Sequence, residues 1–307
     1  MERSMQVAEN NTGEEARQFF TPEKGNYSFD ISPVSPVLGA EIIGLDVSKP
    51  LDQEMVDEVY RALLEHHVLV FRDQNLTKEE QGRFAENYGE LEWHVGRLSN
   101  GKRYPVINNI TNVDVDGKLR PKSVNRGPYF WHTDKSYHEV PSAITMLHGI
   151  EVPSNGGDTE FANMKRAYEV LSDDLKALLN DMKVQHSWEA NRRNVSEKPA
   201  TEQQNKERPP VTHPMVRTHP DTGEKALYIG THIDFIHGME RDESAVFVEK
   251  LMDHALQPQF RYNHKWRQGD LVMWDNRSLM HRGSFAYDMA KEKRVLQRTV
   301  IIGTVPF

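Results

Sequence analysis

The sequence predicts an α+β fold built on a β-sandwich or jelly roll, with flanking helices and one long insertion. Three observations carry that expectation. Strand-like segments near 143–150, 227–230, 259–265, 271–274 and 295–303 are short and bounded by Gly, Asn and Asp turns. Turns such as Asn155-Gly156-Gly157-Asp158 and Gly269-Asp270 suit an antiparallel sheet that closes on itself. Helical periodicity is confined to the first 90 residues and to two insertions between strands, and no internal repeat is visible. The 307 residues are long enough to bury a sizeable core.

The elements follow in order. Residues 1–26 are polar and rich in Glu and Asn, and read as a flexible tail before a single domain over 27–307. Met55, Val56, Val59, Tyr60, Leu63 and Leu64 recur at helical spacing, and the apolar run Val68-Leu69-Val70-Phe71 follows as a buried strand. Thr77-Lys78-Glu79-Glu80 has the capping-box form, which starts a helix running to about Tyr88. Two helices suit residues 164–182, with Ser172 as N-cap of the second. Another fits 242–257 and stops at Pro258. Residues 187–210 form a long polar stretch, read as a lid loop because ordinary connections are shorter.

Composition removes several function classes. No apolar run approaches the roughly 18 residues a membrane helix needs, and the first twenty residues lack the apolar core of a secretory signal. A cytoplasmic location is the resulting expectation. The absence of cysteine excludes disulfide scaffolds, thiolate metal sites and cysteine nucleophiles. Acidic residues outnumber basic ones 46 to 38, which argues against a nucleic-acid partner.

The sharpest chemical feature is Trp131-His132-Thr133-Asp134. On a strand, residues two apart point to one side, so His132 and Asp134 can grip one ion together. A third ligand must come from a distant segment, and His281 is the best candidate, at the end of a second strong strand. Two histidines and one carboxylate leave coordination positions open, the arrangement of a non-haem Fe(II) oxygenase. Among 14 histidines an isolated His-x-Asp pair is weak evidence, and histidines satisfied by hydrogen bonds are the plain alternative. Three further features stand beside it. Gly156-Gly157-Asp158-Thr159 is at least a turn with Thr159 opening the next strand. Trp274-Asp275-Asn276-Arg277 puts Trp274 where it walls an iron pocket or fills a core. Arg294-Val295-Leu296-Gln297-Arg298 gives a terminal strand a cationic face.

In that order, WHTD, GGDT, WDNRxxxH and RxxxR resemble the TauD/TfdA family of iron(II)- and 2-oxoglutarate-dependent dioxygenases. The resemblance spans about residues 37–303 and includes Val37-Leu38-Gly39-Ala40-Glu41-Ile42 and Val70-Phe71-Arg72-Asp73. It implies His132, Asp134 and His281 as iron ligands. Thr159 and Arg294 would hold the distal carboxylate of 2-oxoglutarate, with Lys293 as the neighbouring alternative, and Arg298 would face an anionic group of the substrate. His94 falls where the taurine branch places a substrate-contacting histidine. Arg97 and Asn125-Arg126-Gly127-Pro128 replace that branch's other polar contacts, and residues 109–118 look closer to the phenoxyacetate branch. The implied reaction consumes 2-oxoglutarate and O2, releases succinate and CO2, and hydroxylates a small anion such as an aryloxyalkanoate or alkylsulfonate. The implied assembly is a homodimer or homotetramer. Two readings of other classes are a non-catalytic metal-binding jelly roll and a zinc hydrolase using the same triad.

Overall fold

The computed structural model of the chain describes residues 25–92, 107–120, 126–284 and 286–307. The first part holds β1 Asp30–Pro33, β2 Ala40–Ile43, α1 Gln53–His66, β3 Val68–Phe71, α2 Lys78–Glu86 and β4 Asn108–Thr111. The middle holds β5 Ser142–Glu151, β6 Thr159–Asn163, α3 Met164–Glu169, α4 Asp173–Asn180, β7 Lys183–His186, α5 Trp188–Asn194, α6 Glu202–Glu207 and β8 Val211–Pro214. Then follow β9 Val216–Thr218, β10 Lys225–Leu227, β11 Ile233–Ile236, α7 Arg241–Ala255, β12 Arg261–His264, β13 Leu271–Asp275, β14 Leu279–Gly283 and β15 Val295–Ile302.

Seven strands form the major sheet in the order β1-β2-β3-β13-β5-β15-β4, with only β2 and β3 parallel. A minor sheet, β12-β6-β14, lies against it, and two smaller sheets pair β11-β7-β8 and β10-β9. The two main sheets meet through apolar side chains: Val70, Leu147, Val272, Trp274 and Leu296 from the major sheet, Phe161, Tyr262 and Leu279 from the minor one. This is the jelly-roll sandwich the sequence predicts. Phe161 and Trp274 meet edge to face with ring centres 5.5 Å apart. Truncating such a buried aromatic to Ala costs about 3–5 kcal/mol, so this contact fixes the sheet spacing around whatever lies beside it.

The far face of the major sheet is covered by α1 and α2. Asp52 caps α1 by accepting from the Met55 N–H, and its apolar stripe buries Val59, Ala62 and Leu63 against Leu69, Phe71 and Met273. Both arms of the predicted capping box at α2 are present, between Thr77 and Glu80. Ser172 caps α4 as expected. A further cluster packs α3 and α7 over β10 and β11. No helix among the described residues is long and apolar enough to cross a membrane.

Three expectations change. The 187–210 stretch is not a loop: it holds α5, capped by Ser187, and α6, with a complete capping box between Thr201 and Gln204. Its polar composition hid two short helices whose ends satisfy themselves. The strand expected at 227–230 is displaced to Lys225–Leu227, and Tyr228 still donates to the Met215 carbonyl in the same register. The segment at 259–265 begins with a 3-10 turn at Pro258–Phe260 before β12, as Pro at the first position favours. The tail at 1–24 lies outside the described residues.

Candidate metal centre and cosubstrate pocket

The triad assembles where the two sheets of the sandwich meet. His132 and His281 form a bridge, each donating its N–H to the other's carbonyl at 3.0 and 2.9 Å. His281 sits in the middle of β14 rather than at the end of the β13 run. Asp134 does not share a strand with His132, as the sequence reading had it. It opens a turn in which the next residue, Lys135, takes φ 57°, and its carboxylate stands beside the imidazoles. Suitable ligand atoms of His132, Asp134 and His281 lie within 4.8 Å of one another. His132 Nε2 is 3.8 Å from Asp134 Oδ1, and His281 Nε2 is 3.9 Å from Oδ2. These separations are too long for hydrogen bonds and leave room for an ion between the groups.

Surrounding hydrogen bonds orient two members of the candidate triad, His132 and Asp134. His132 Nδ1 lies 2.7 Å from the Phe130 carbonyl, so it carries the proton and Nε2 presents its lone pair inward. Burial lowers the pKa of both imidazoles, that of His281 to about 3, so both are neutral and able to ligate at neutral pH. Burial pushes the Asp134 carboxyl up, but Arg298, the two histidines and the Thr145 hydroxyl outweigh it and hold it below the usual carboxylate range. A short chain of hydrogen bonds aims that carboxylate. Trp274 Nε1 donates to Asn276 Oδ1 at 3.1 Å, Asn276 Nδ2 to Thr145 Oγ1 at 2.9 Å, and Thr145 to Asp134 Oδ2 at 2.6 Å. Trp274 also packs on His281 with ring centres 4.7 Å apart. It lines the cavity, fills the core between the sheets and is the first link of this chain.

A cavity of about 50 Å³ adjoins the triad, and Thr159, Arg294, Arg298 and Trp274 line it. Arg294 is buried, and among the described residues it has no carboxylate partner. Its Nε donates to the Gly157 carbonyl at 2.7 Å and its Nη2 lies 3.5 Å from Thr159 Oγ1. Trp266 donates to that same hydroxyl at 3.0 Å. The GGDT turn is shaped for this guanidinium. Gly157 has φ 68°, and a Cβ there would stand 3.2 Å from Arg294 Cδ; Gly156 has φ 75°, and a Cβ would collide with the Ala286 carbonyl. Lys293 points the other way, half exposed and 3.5 Å from Glu151, so the guanidinium in the cavity belongs to Arg294. Arg298 is about a quarter exposed, with Nη1 3.9 Å from Asp134 Oδ1. His94 and Arg97 lie outside the described residues.

Sequence reasoning missed Thr145, the role of Asn276 and the Phe130 carbonyl. Thr145 had a signal: it is the polar interruption in the apolar run Ala143-Ile144-Thr145-Met146-Leu147 on a central strand. A larger hollow of about 770 Å³ opens between α5, β11 and α7, where Asp234 is already paired with both Arg193 and Arg241.

The chain that carries this triad, arginine and cavity is similar to a group of known proteins. The family model described as "Taurine catabolism dioxygenase TauD, TfdA family" matches residues 30–300. An alpha-ketoglutarate-dependent 2,4-dichlorophenoxyacetate dioxygenase of Cupriavidus pinatubonensis is 34% identical over 278 residues, 88% of this chain and 96% of that protein. A (S)-phenoxypropionate/alpha-ketoglutarate-dioxygenase of Sphingobium herbicidovorans is 35% identical, covering 90% of this chain and 96% of its own. The crystal structure of AAD-2 in complex with Mn(II) and N-oxalylglycine superposes with a TM-score of 0.82 at 35% identity, over 91% of this chain and 98% of that one. The chain belongs to the TauD/TfdA family of Fe(II)- and 2-oxoglutarate-dependent dioxygenases.

Proposed function

We propose that the enzyme hydroxylates a small anion of the aryloxyalkanoate or alkylsulfonate type, with release of succinate and CO2. The observation that carries this reading is Arg294, a buried guanidinium that has no carboxylate partner among the described residues and lines a cavity shared with the triad. A buried cation left open in this way favours an anionic ligand, and guanidinium binds a carboxylate through two parallel, charge-assisted bonds. In this reading His132, Asp134 and His281 hold the iron, Arg294 and Thr159 hold the distal carboxylate of 2-oxoglutarate, and Arg298 takes the anionic group of the substrate. Carboxylate-bearing substrates in the names of both relatives support the substrate class.

When bound, iron and 2-oxoglutarate supply the oxidising power, and decarboxylation with O2 delivers one oxygen atom to a substrate C–H bond. The rest is positioning by the chain. The Phe130 carbonyl keeps His132 in the ligating tautomer, and Thr145 fixes the Asp134 carboxylate. Gly157 and Thr159 hold Arg294 in place before cosubstrate arrives, which removes an ordering cost from binding. Leu147, Ile110 and Trp274 line the cavity with apolar surface and limit water there.

The test is succinate release from purified protein with Fe(II), ascorbate and O2, across aryloxyalkanoates, alkylsulfonates and their neutral amides or alcohols. Turnover of an anion above its neutral analogue is expected, and equal turnover of both contradicts the substrate class. Arg298→Ala should weaken substrate use while leaving 2-oxoglutarate binding nearly unchanged. Arg294→Ala should remove about 1.5–3 kcal/mol from 2-oxoglutarate binding, roughly 10- to 150-fold in affinity. A larger effect from Lys293→Ala overturns the assignment of the clamp. The same reading carries a homodimer or homotetramer, resting on family resemblance and tested by light scattering.

A further inference from the structure

Arg294 stands one residue before β15, at a point where the major sheet stops holding it. On the β5 side the register slips between Val295 and Leu296, so Val295 pairs with Glu151 and Leu296 with Gly149. On the β4 side the ladder is regular, with Leu296 opposite Ile110 and Val295 opposite Thr111. The next residue on that side is Asn112, which is 4% exposed. Its backbone N–H donates to the Arg294 carbonyl at 3.3 Å, and its side-chain Oδ1 accepts the Arg294 N–H at 2.8 Å. Its Nδ2 donates to the carbonyls of Met289, at 3.0 Å, and Glu292, at 2.9 Å. One amide thus ties down both ends of the turn over residues 289–294 that delivers the arginine.

Each of those three bonds has a backbone group as its other partner. No rotamer of a neighbour can replace them, and a buried backbone group left unpaired is costly. The hairpin carrying Asn112 is itself closed, by Arg120 N–H to the Asn112 carbonyl at 2.7 Å and by Asp114 Oδ1 accepting from Asp116 and Lys118. The amide is therefore presented from a braced support.

We propose that Asn112 is a positioning residue for the 2-oxoglutarate clamp: it sets where the Arg294 guanidinium stands, and so sets the preference for a 2-oxoacid with a distal carboxylate. This rests on the role proposed above for Arg294, and the experiment separates the two. Affinities for 2-oxoglutarate and for pyruvate, which lacks the distal carboxylate, are measured anaerobically on Fe(II)-loaded protein from the visible charge-transfer band. Wild type should prefer 2-oxoglutarate, and Arg294→Ala should collapse that preference; failure of either sinks the clamp reading itself.

If both hold, Asn112→Ala should lower the preference ratio by about 10-fold, the effect of misplacing one charge-assisted contact, with pyruvate affinity changed less than about 3-fold. Asn112→Asp is isosteric and keeps the acceptor for the Arg294 N–H but loses both donors, so it tests the turn's anchoring where the alanine variant fails to fold. It should also lower the ratio. Tyr60→Phe, remote from the clamp, is the control for a general loss of stability and should leave the ratio unchanged. A ratio within about twofold of wild type in both Asn112 variants, or a parallel loss of both 2-oxoacids, overturns the proposal.

Discussion

Asp134 and Asp275 are both buried aspartates flanked by histidine and arginine, and they do opposite things. Asp275 is saturated: Arg277 Nε and Nη2 reach it at 2.8 and 2.7 Å, His219 Nε2 at 2.9 Å, and the Arg277 N–H at 2.8 Å. Arg277 goes on to Asp221 and to the Tyr60 hydroxyl, which closes the network. Around Asp134 the two histidines and Arg298 stand off at 3.8 to 3.9 Å, and among the described residues Thr145 alone bonds the carboxylate, at 2.6 Å. Residue type does not distinguish the clusters; separation does. Groups about 2.8 Å apart are finished with one another, whereas groups nearly 4 Å apart around a shared centre keep lone pairs for a ligand.

That contrast can be broken at either end. The largest effect is expected for Asp134→Ala, which removes the one carboxylate of the candidate triad. Turnover should fall by more than about 100-fold, beyond the 10- to 100-fold typical of second-layer changes, while the melting temperature stays close to wild type. Arg277→Met should do the reverse, because it leaves a buried carboxylate unpaired. A loss of about 3–5 kcal/mol in stability is expected, measured by denaturant unfolding. The pH dependence gives its sign. Burial pushes the Asp275 carboxyl up, but Arg277 and His219 hold it well below the ordinary carboxylate value. A depressed native pKa contributes stability that is fully present above the unfolded value, near about pH 4, and is lost as pH falls through the native one. The gap between wild type and Arg277→Met should therefore be widest at neutral pH and narrow below about pH 4. The smallest effect belongs to Thr145→Val, which keeps shape and removes one bond to Asp134. Metal affinity should drop by about 10- to 100-fold, with a stability loss of about 1–3 kcal/mol from the Asn276 amide left without its acceptor. An unchanged affinity would contradict the relay from Trp274 through Asn276.

The grouping was legible because it is written in residue type and order: His132, Asp134 and His281 come together, and Arg294 lines the cavity beside them. Sequence reasoning missed how they get there. Asp134 opens a turn rather than continuing a strand, and nothing local to Lys135 announces the positive φ that follows it. α1 and α2 were readable from spacing and caps, since both signals lie within one turn of helix. α5 and α6 were not, because a polar stretch reads as loop unless its Ser187 and Thr201-x-x-Gln204 caps are weighed ahead of its composition. Thr145 and Asn112 bond partners 11 and 182 residues away, and no periodicity or cap signal links either pair.

The most direct measurement is a Mn(II) titration, read by electron paramagnetic resonance, on wild type, Asp134→Ala, His281→Ala and Tyr60→Phe. Spacing as the mark of a ligand site predicts about one tightly bound Mn(II) per chain in wild type and in Tyr60→Phe, and its loss in the two triad variants. Metal retained at wild-type affinity by Asp134→Ala, or lost from Tyr60→Phe, would contradict it.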